Sequence, residues 1–340
     1  MRLQERLRGG VVIPAHPLAV TADGDIDLQA QRALTRYYLE SGADGLAVGV
    51  HTTQFSLHAD RGALREVWDL AAATVLELAP ERMLIAGLVG DTVQAVAEAQ
   101  AAVAAGYHAA LLSPWGMADG SERALLERAG AVGEILPTIG FYLQDSVGGG
   151  PLGRGYWSAL FDLESVIAVK TAPFDRYRTN DVVRALLEHD RWAEVALLTG
   201  NDDAIVHDLI TPYRRGDRVV RAAGGLLGQW AVGTRAAVGL VRRAREAVAA
   251  DAVGTDLLAE ATDLVEVNAA VFDVDHDFAG CVPGVNEVLR QQGLLTSAHC
   301  LDPVEALSPG QADLIGRVRT QFPELLDEEF VADRRDEWLR

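Results

Sequence analysis

The sequence predicts an α/β protein, a (β/α)8 (TIM) barrel with additional C-terminal helices. Three observations predict it. Short β-branched apolar runs alternate with longer amphipathic ones through the first two thirds of the 340 residues. The alternation repeats as eight strand-then-helix units, and parallel strands joined by crossovers close into a ring at that number. The first strand-to-helix turn is Pro14-Ala15-His16-Pro17. It lacks the G-x-G-x-x-G of a dinucleotide-binding open sheet.

In order, the strands are expected at 11–14, 45–50, 83–89, 109–113, 138–143, a run ending at Lys170, 195–199 and 219–227. Each is an apolar run of strand length bounded by turn or polar residues. Helices are expected at 28–40, 61–78, 92–105, 121–132, 156–161 and 181–189. Asp91 and Thr92 suit the start of the third of these, because their oxygens satisfy orphan N–H groups there. Pro114 stops the fourth strand, and the glycine-rich stretch Gly148-Gly149-Gly150 follows the fifth. Beyond Leu227 the pattern turns helical, at 229–250, 257–271, 285–292 and 311–326. The expected division is a catalytic barrel over 1–240 and a helical appendage over 241–340.

Net charge is −19, which opposes nucleic acid and anionic membrane surfaces. No apolar run reaches the ~20 residues of a membrane helix, and the charged N-terminal octet does not read as a signal peptide. A cytoplasmic location is expected. Cys281 and Cys300 are too few for a disulfide framework and read as reduced thiols.

The run Ser165-Val166-Ile167-Ala168-Val169-Lys170-Thr171 carries the chemistry. It is a buried strand that ends at an amine, and Lys170 is the only lysine in the chain. Arginine supplies charge but cannot be deprotonated to a nucleophile. A lone lysine is ordinarily a solvated surface residue; its place at a strand end argues for function. In a barrel of this kind the active site lies at the C-terminal ends of the strands. Tyr142 ends the fifth strand, next to the sixth, and adjacent strands lie ~4.8 Å apart. A phenol and an amine there are expected to reach one substrate atom. A buried lysine is partly neutral and can form a Schiff base with a ketone, while the phenol moves protons. Thr52 and Thr53 end the second strand, with hydroxyls and N–H groups suited to hold a carboxylate or to polarise the Tyr, and Thr52 joins Lys170 and Tyr142 in the expected catalytic set. Thr171, Gly200, Trp115 and Leu227, which ends the eighth strand, complete the expected substrate-binding set.

These residues carry a resemblance to the dihydrodipicolinate synthase and N-acetylneuraminate lyase family of class I aldolases, over about residues 10–240. Val12-Ile13-Pro14 with Asp23-Gly24 resembles the family's start, and His51-Thr52-Thr53-Gln54-Phe55 its G-T-T-G-E loop. Ile85-Ala86-Gly87 resembles its third strand and Ser113-Pro114-Trp115 its T-P-Y-Y. Gly140-Phe141-Tyr142-Leu143 resembles L-Y-N, Val169-Lys170-Thr171-Ala172 the I-K-E-A strand, and Thr199-Gly200-Asn201-Asp202 the S-G-D-D strand. The resemblance implies Lys170 as the imine lysine, Tyr142 as the catalytic phenol, and Thr52 and Thr53 as holders of the keto-acid carboxylate. It also implies a homodimer or homotetramer, a 2-oxo acid and an aldehyde as small-molecule partners, and no cofactor.

The departures narrow the expectation. Gln54 and Phe55 replace the loop's glycine and glutamate, and Trp115-Gly116 replaces the paired tyrosines. No arginine stands near Ser146-Val147, where the synthase receives its second carboxylate, so aspartate semialdehyde is not the expected partner. Three readings therefore stand side by side. The first is a Schiff-base lyase or aldolase on a pyruvate-type 2-oxo acid, or a sugar-acid dehydratase or hydratase-aldolase using the same lysine. The second is metal chemistry through His16, His51, Asp91 and Asp202, although no H-x-H or H-E-x-x-H spacing supports it. The third is a barrel that binds a ligand without turnover.

Overall fold

The computed structural model describes residues 2–340. Its eight-stranded parallel sheet is built from β1 (Val11–Pro14), β2 (Gly45–Val48), β3 (Met83–Leu88), β4 (Ala109–Leu112), β5 (Thr138–Leu143), β6 (Val166–Ala172), β7 (Ala196–Thr199) and β10 (Ala222–Leu227). The strands β8 (Tyr213–Arg215) and β9 (Arg218–Val220) form a separate antiparallel hairpin. Residue 219, expected to open the eighth barrel strand, belongs to that hairpin instead. β1 pairs with β10, and the bridge Ala15–Ala47 joins β1 to β2, so the ring closes. The (β/α)8 expectation is met. Strands covered on both faces read as continuous apolar runs, and every residue of β1 to β6 is buried.

The outer helices are α2 (Leu28–Ser41), α3 (Arg61–Leu78), α4 (Thr92–Ala104), α5 (Glu122–Gly133), α6 (Arg154–Asp162), α7 (Arg176–Glu188), α8 (Ile205–Ile210) and α9 (Thr234–Ala249). Asp91 caps α4 as its sequence suggests, accepting from the Gln94 N–H at 3.0 Å. A short α1 (Leu3–Arg8) seats the fully buried Leu7 in the interior cluster with Val11 and Ile13 and closes the floor of the barrel. The division expected at residue 240 falls inside α9, which packs against β1 as a barrel helix and runs on to Ala249.

The remaining helices are α10 (Thr255–Val271), α11 (Cys281–Gln291), α12 (Gln311–Gln321) and α13 (Glu328–Trp338). They are fastened to the barrel by a buried carboxylate. Asp327 accepts from the Tyr37 hydroxyl at 2.6 Å and from the N–H groups of Arg235 and Ala236 at 2.7 and 2.9 Å. It thereby satisfies orphan donors in the first turn of α9. Trp338 packs on Tyr37, ring centroids 5.3 Å apart.

One irregularity decides which side chains enter the barrel. Thr138 pairs with Val166, but the next pair is Ile139 with Ala168, leaving Ile167 as an extra residue in β6. From there Phe141 lies opposite Lys170, and Tyr142 opposite Thr171. Side chains alternate faces along a strand, so this shift sets the chemistry of the barrel mouth. Ile139, Phe141 and Leu143 belong to the interior cluster, whereas Tyr142 belongs to the outer one.

Candidate active site

Lys170 points into the barrel mouth, on the same face of β6 as Ala168 and Ala172. Its ammonium group lies 4.4 Å from the centroid of the Phe141 ring. Among the described residues it makes no hydrogen bond and no ion pair within 4.0 Å, and it lines a chamber of about 60 Å³. Room for the side chain comes from Gly200, at the end of the neighbouring β7: a Cβ there would lie 2.4 Å from the Lys170 Cε. Burial lowers the pKa of the amine, and the Asp202 carboxylate offsets part of that effect. A neutral amine is thus reached at lower pH than in free lysine.

Asp202 shares the chamber. Its Oδ1 accepts from the Gln229 N–H at 3.2 Å, and Asn268 donates to its backbone carbonyl at 2.7 Å. Burial raises its pKa, so this carboxyl holds a proton more readily than a surface aspartate. His51 also lines the chamber, its pKa lowered to about 4 by burial first and the Lys170 charge second. The ring is therefore neutral at ordinary pH. Thr52 reaches the wall, but its hydroxyl donates to the Ala15 carbonyl at 2.8 Å. The 3-10 turn His51–Thr53 uses the N–H groups of Thr53 and Gln54 internally, both at 2.9 Å. Those of His51 and Thr52 have no acceptor among the described residues.

Five expected site residues stand elsewhere. Tyr142 faces the helix layer, its ring 5.2 Å from that of Trp157 and its hydroxyl accepting from the Leu152 N–H at 3.4 Å. The expected convergence of phenol and amine on one atom is absent, because the bulge at Ile167 sets Phe141 beside Lys170. Thr171, opposite Tyr142, sends its hydroxyl toward the Leu198 carbonyl. The Thr53 hydroxyl donates to the His16 carbonyl at 2.6 Å and accepts from the N–H groups of Gly49 and Val50, bracing the loop and not the chamber. Leu227 packs outward with Trp230 and Leu240, since its neighbour Leu226 takes the interior face. Trp115 stacks on Phe55 at 5.2 Å in a side cavity adjoining the chamber. His16 is fully buried, with Nε2 2.9 Å from the Thr35 hydroxyl and Nδ1 2.8 Å from the Pro17 carbonyl. With both ring nitrogens occupied it offers nothing to a metal.

The appendage supplies walls that no strand-end reading anticipates. Phe272, Phe278 and Cys281 close the chamber from above. Gly228 makes way for the first, since a Cβ there would lie 3.3 Å from the Phe272 ring. The segment between α10 and α11 places Asp273, Asp277 and Phe278 at φ of 58°, 53° and 67°. Phe174, across the mouth in the β6–α7 loop, has φ of 49°. Positive φ at a bulky residue is an outlier costing on the order of 1–3 kcal/mol and tends to occur at functional sites. The nearest sequence signal was the run of aromatic and acidic residues from Phe272 to Phe278, which periodicity does not interpret.

No family model matches this sequence. No curated protein sequence matches it either. Solved structures do resemble it. A prophage protein of the dihydrodipicolinic acid synthase family from E. coli K12, in complex with pyruvate, is 18% identical with a TM-score of 0.76 over 92% of this chain and 98% of that one. Dihydrodipicolinate synthase from Oceanobacillus iheyensis is 17% identical with a TM-score of 0.76, over 94% and 99%. N-acetylneuraminate lyase from Fusobacterium nucleatum is 16% identical with a TM-score of 0.71, over 93% and 99%. At these identities the likeness establishes the barrel with its C-terminal helices.

Proposed function

We propose that this chain is a divergent member of the dihydrodipicolinate synthase and N-acetylneuraminate lyase family, a class I aldolase-type lyase acting on a pyruvate-type 2-oxo acid. The observation that carries the reading is the sole lysine, buried and without a polar partner at the mouth of the barrel. The neutral amine attacks the ketone carbon, water leaves, and the resulting imine accepts the electron pair of a breaking or forming C–C bond. The N–H groups of His51 and Thr52 receive the substrate carboxylate. Thr52 acts through its main chain, because its hydroxyl hydrogen is committed to Ala15. With Tyr142 turned outward, Asp202 takes the protonic role. It delivers the proton that lets water leave the carbinolamine and recovers it on hydrolysis.

The same amine would serve a dehydratase or hydratase-aldolase, and product analysis separates those reactions. The outward phenol favours one other reading, a barrel that binds a 2-oxo acid without turnover. Borohydride reduction in the presence of pyruvate tests the proposal. An adduct localised to Lys170 by peptide mass spectrometry, absent in Lys170→Arg, is expected. No adduct with pyruvate or any of a panel of 2-oxo acids would remove the imine mechanism. Adduct without product from any aldehyde would favour the binding protein. A homodimer or homotetramer is the expected assembly, and sedimentation measures it.

A further inference from the structure

The amine chamber adjoins two other cavities. It shares Gln144, Phe174, Asp202, Phe272 and Phe278 with a larger cavity of about 520 Å³ over β6 and β7. It shares His51, Val147, Phe278 and Cys281 with a cavity of about 310 Å³ beside Trp115. Phe278 lines all three. Holding a water takes roughly 10–15 Å³ of such volume. The inner chamber therefore suits a molecule of a few heavy atoms, and anything larger extends into a neighbouring cavity.

The larger cavity has a distinct chemistry. Its inner wall is the aromatic cluster of Phe174, Phe272 and Phe278, the first and last with ring centroids 5.5 Å apart and inclined at 60°. Its rim carries Asp145, Asp175 and Asp203 besides the shared Asp202. The single cation there, Arg178, is spent on Asp145 at 2.8 Å. No unpaired cation faces this space among the described residues, so an anionic tail finds no free counter-charge there. Aromatic edges and faces favour offset or edge-to-face contact with another ring. The two phenylalanines are held at positive φ from opposite sides of the mouth, one by the barrel and one by the appendage.

We infer that Phe174, Phe272 and Phe278 form the acceptor subsite of this enzyme, and that it takes an aldehyde bearing an uncharged aromatic group. The inference rests on the Lys170 imine reading. Pyruvate bound to Lys170 loses a C3 proton to give the enamine. C3 then bonds to the aldehyde carbon, and the carbonyl oxygen takes up a proton to become a hydroxyl. Water replaces the lysine nitrogen and releases a 4-aryl-4-hydroxy-2-oxo acid, leaving the amine as it began. Nothing is oxidised or reduced, and the reverse sequence cleaves the same acid.

The test uses the full chain with pyruvate and three aldehydes: benzaldehyde, glyceraldehyde and succinic semialdehyde. Apolar contacts discriminate by about 10–200-fold, and kcat/KM for benzaldehyde is expected to exceed the other two by a factor in that range. Phe278→Asn removes the ring with a residue that tolerates positive φ. It is expected to lower the benzaldehyde-to-glyceraldehyde ratio at least about 10-fold. Three results would overturn the subsite: equal use of the aldehydes, a preference for the hydroxylated or anionic one, or an equal loss on both in the variant. Pyruvate trapping on Lys170 is measured alongside. If it succeeds while selectivity fails, only the acceptor assignment falls. If it fails, the imine reading falls and takes this inference with it.

Discussion

Gly200→Ala puts the geometry of the amine to its sharpest test. Carbon atoms pack best about 3.5–4.0 Å apart. The new methyl group would stand 2.4 Å from Lys170 Cε, 3.1 Å from its Cγ and 2.9 Å from the Ala172 Cβ. Relieving the closest contact moves Cε by about 1 Å, or moves β7 away from β6. Overpacking of that kind costs about 1–3 kcal/mol, and a displacement of about 1 Å in a reacting group can cost 10²-fold in rate. The expected result is a folded protein, 1–3 kcal/mol less stable by denaturant titration, that traps pyruvate about 100-fold more slowly under borohydride. Gly120→Ala is the matched control, because a Cβ there meets nothing within 4 Å. The reasoning fails if Gly200→Ala keeps both stability and trapping rate at the level of the control.

Three further expectations follow from the site. Tyr142→Phe removes only a long hydrogen bond to Leu152, so turnover should change less than about threefold. A loss of about 10²–10⁴-fold, the range of a general acid–base group, would restore the phenol to the mechanism. Asp202→Asn should slow pyruvate trapping and turnover alike by about 10²–10⁴-fold, because the carboxyl serves the loss of water that forms the imine. Removing that carboxylate also removes the charge that supports protonation of Lys170. The pH profile of trapping rises as the amine is deprotonated and levels off below the ordinary lysine pKa of about 10.4; in the variant its midpoint should move lower still, and an upward shift would contradict the pairing. His16, with its pKa lowered to about 4 by burial, stays neutral in the folded protein while the unfolded chain gains a proton below about 6.5. Its contribution to stability is intact above that pH and shrinks by up to about 3 kcal/mol as pH falls to 4. Imidazole NMR at pH 5 should find this ring uncharged, and a charged ring would contradict its burial.

The barrel was legible because short continuous apolar runs of strand length alternate with longer amphipathic stretches of period 3.6. Lys170 was legible for a compositional reason: a single amine at the end of a buried strand has few uses. The place of Tyr142 was not legible. An unshifted register from Thr138–Val166 would set Tyr142 beside Lys170, and the extra residue Ile167 replaces it with Phe141. A one-residue slip exchanges the two faces of a strand, and nothing in a run of apolar residues marks where a bulge falls. Leu227 failed for the same reason of parity against Leu226. Phe272 and Phe278 escaped notice because they lie far along the chain from the strands they cover. Only tertiary packing brings them to the mouth.

The helical appendage leaves the nucleophile and the roof above it on separate stretches of one polypeptide. Asp327 anchors the appendage by its own polar contacts to Tyr37 and the start of α9, and none of these contacts involves the loop that carries Phe278. On the proposed acceptor subsite, substitutions in that loop would retune which molecules are admitted while the barrel keeps the Lys170 chamber.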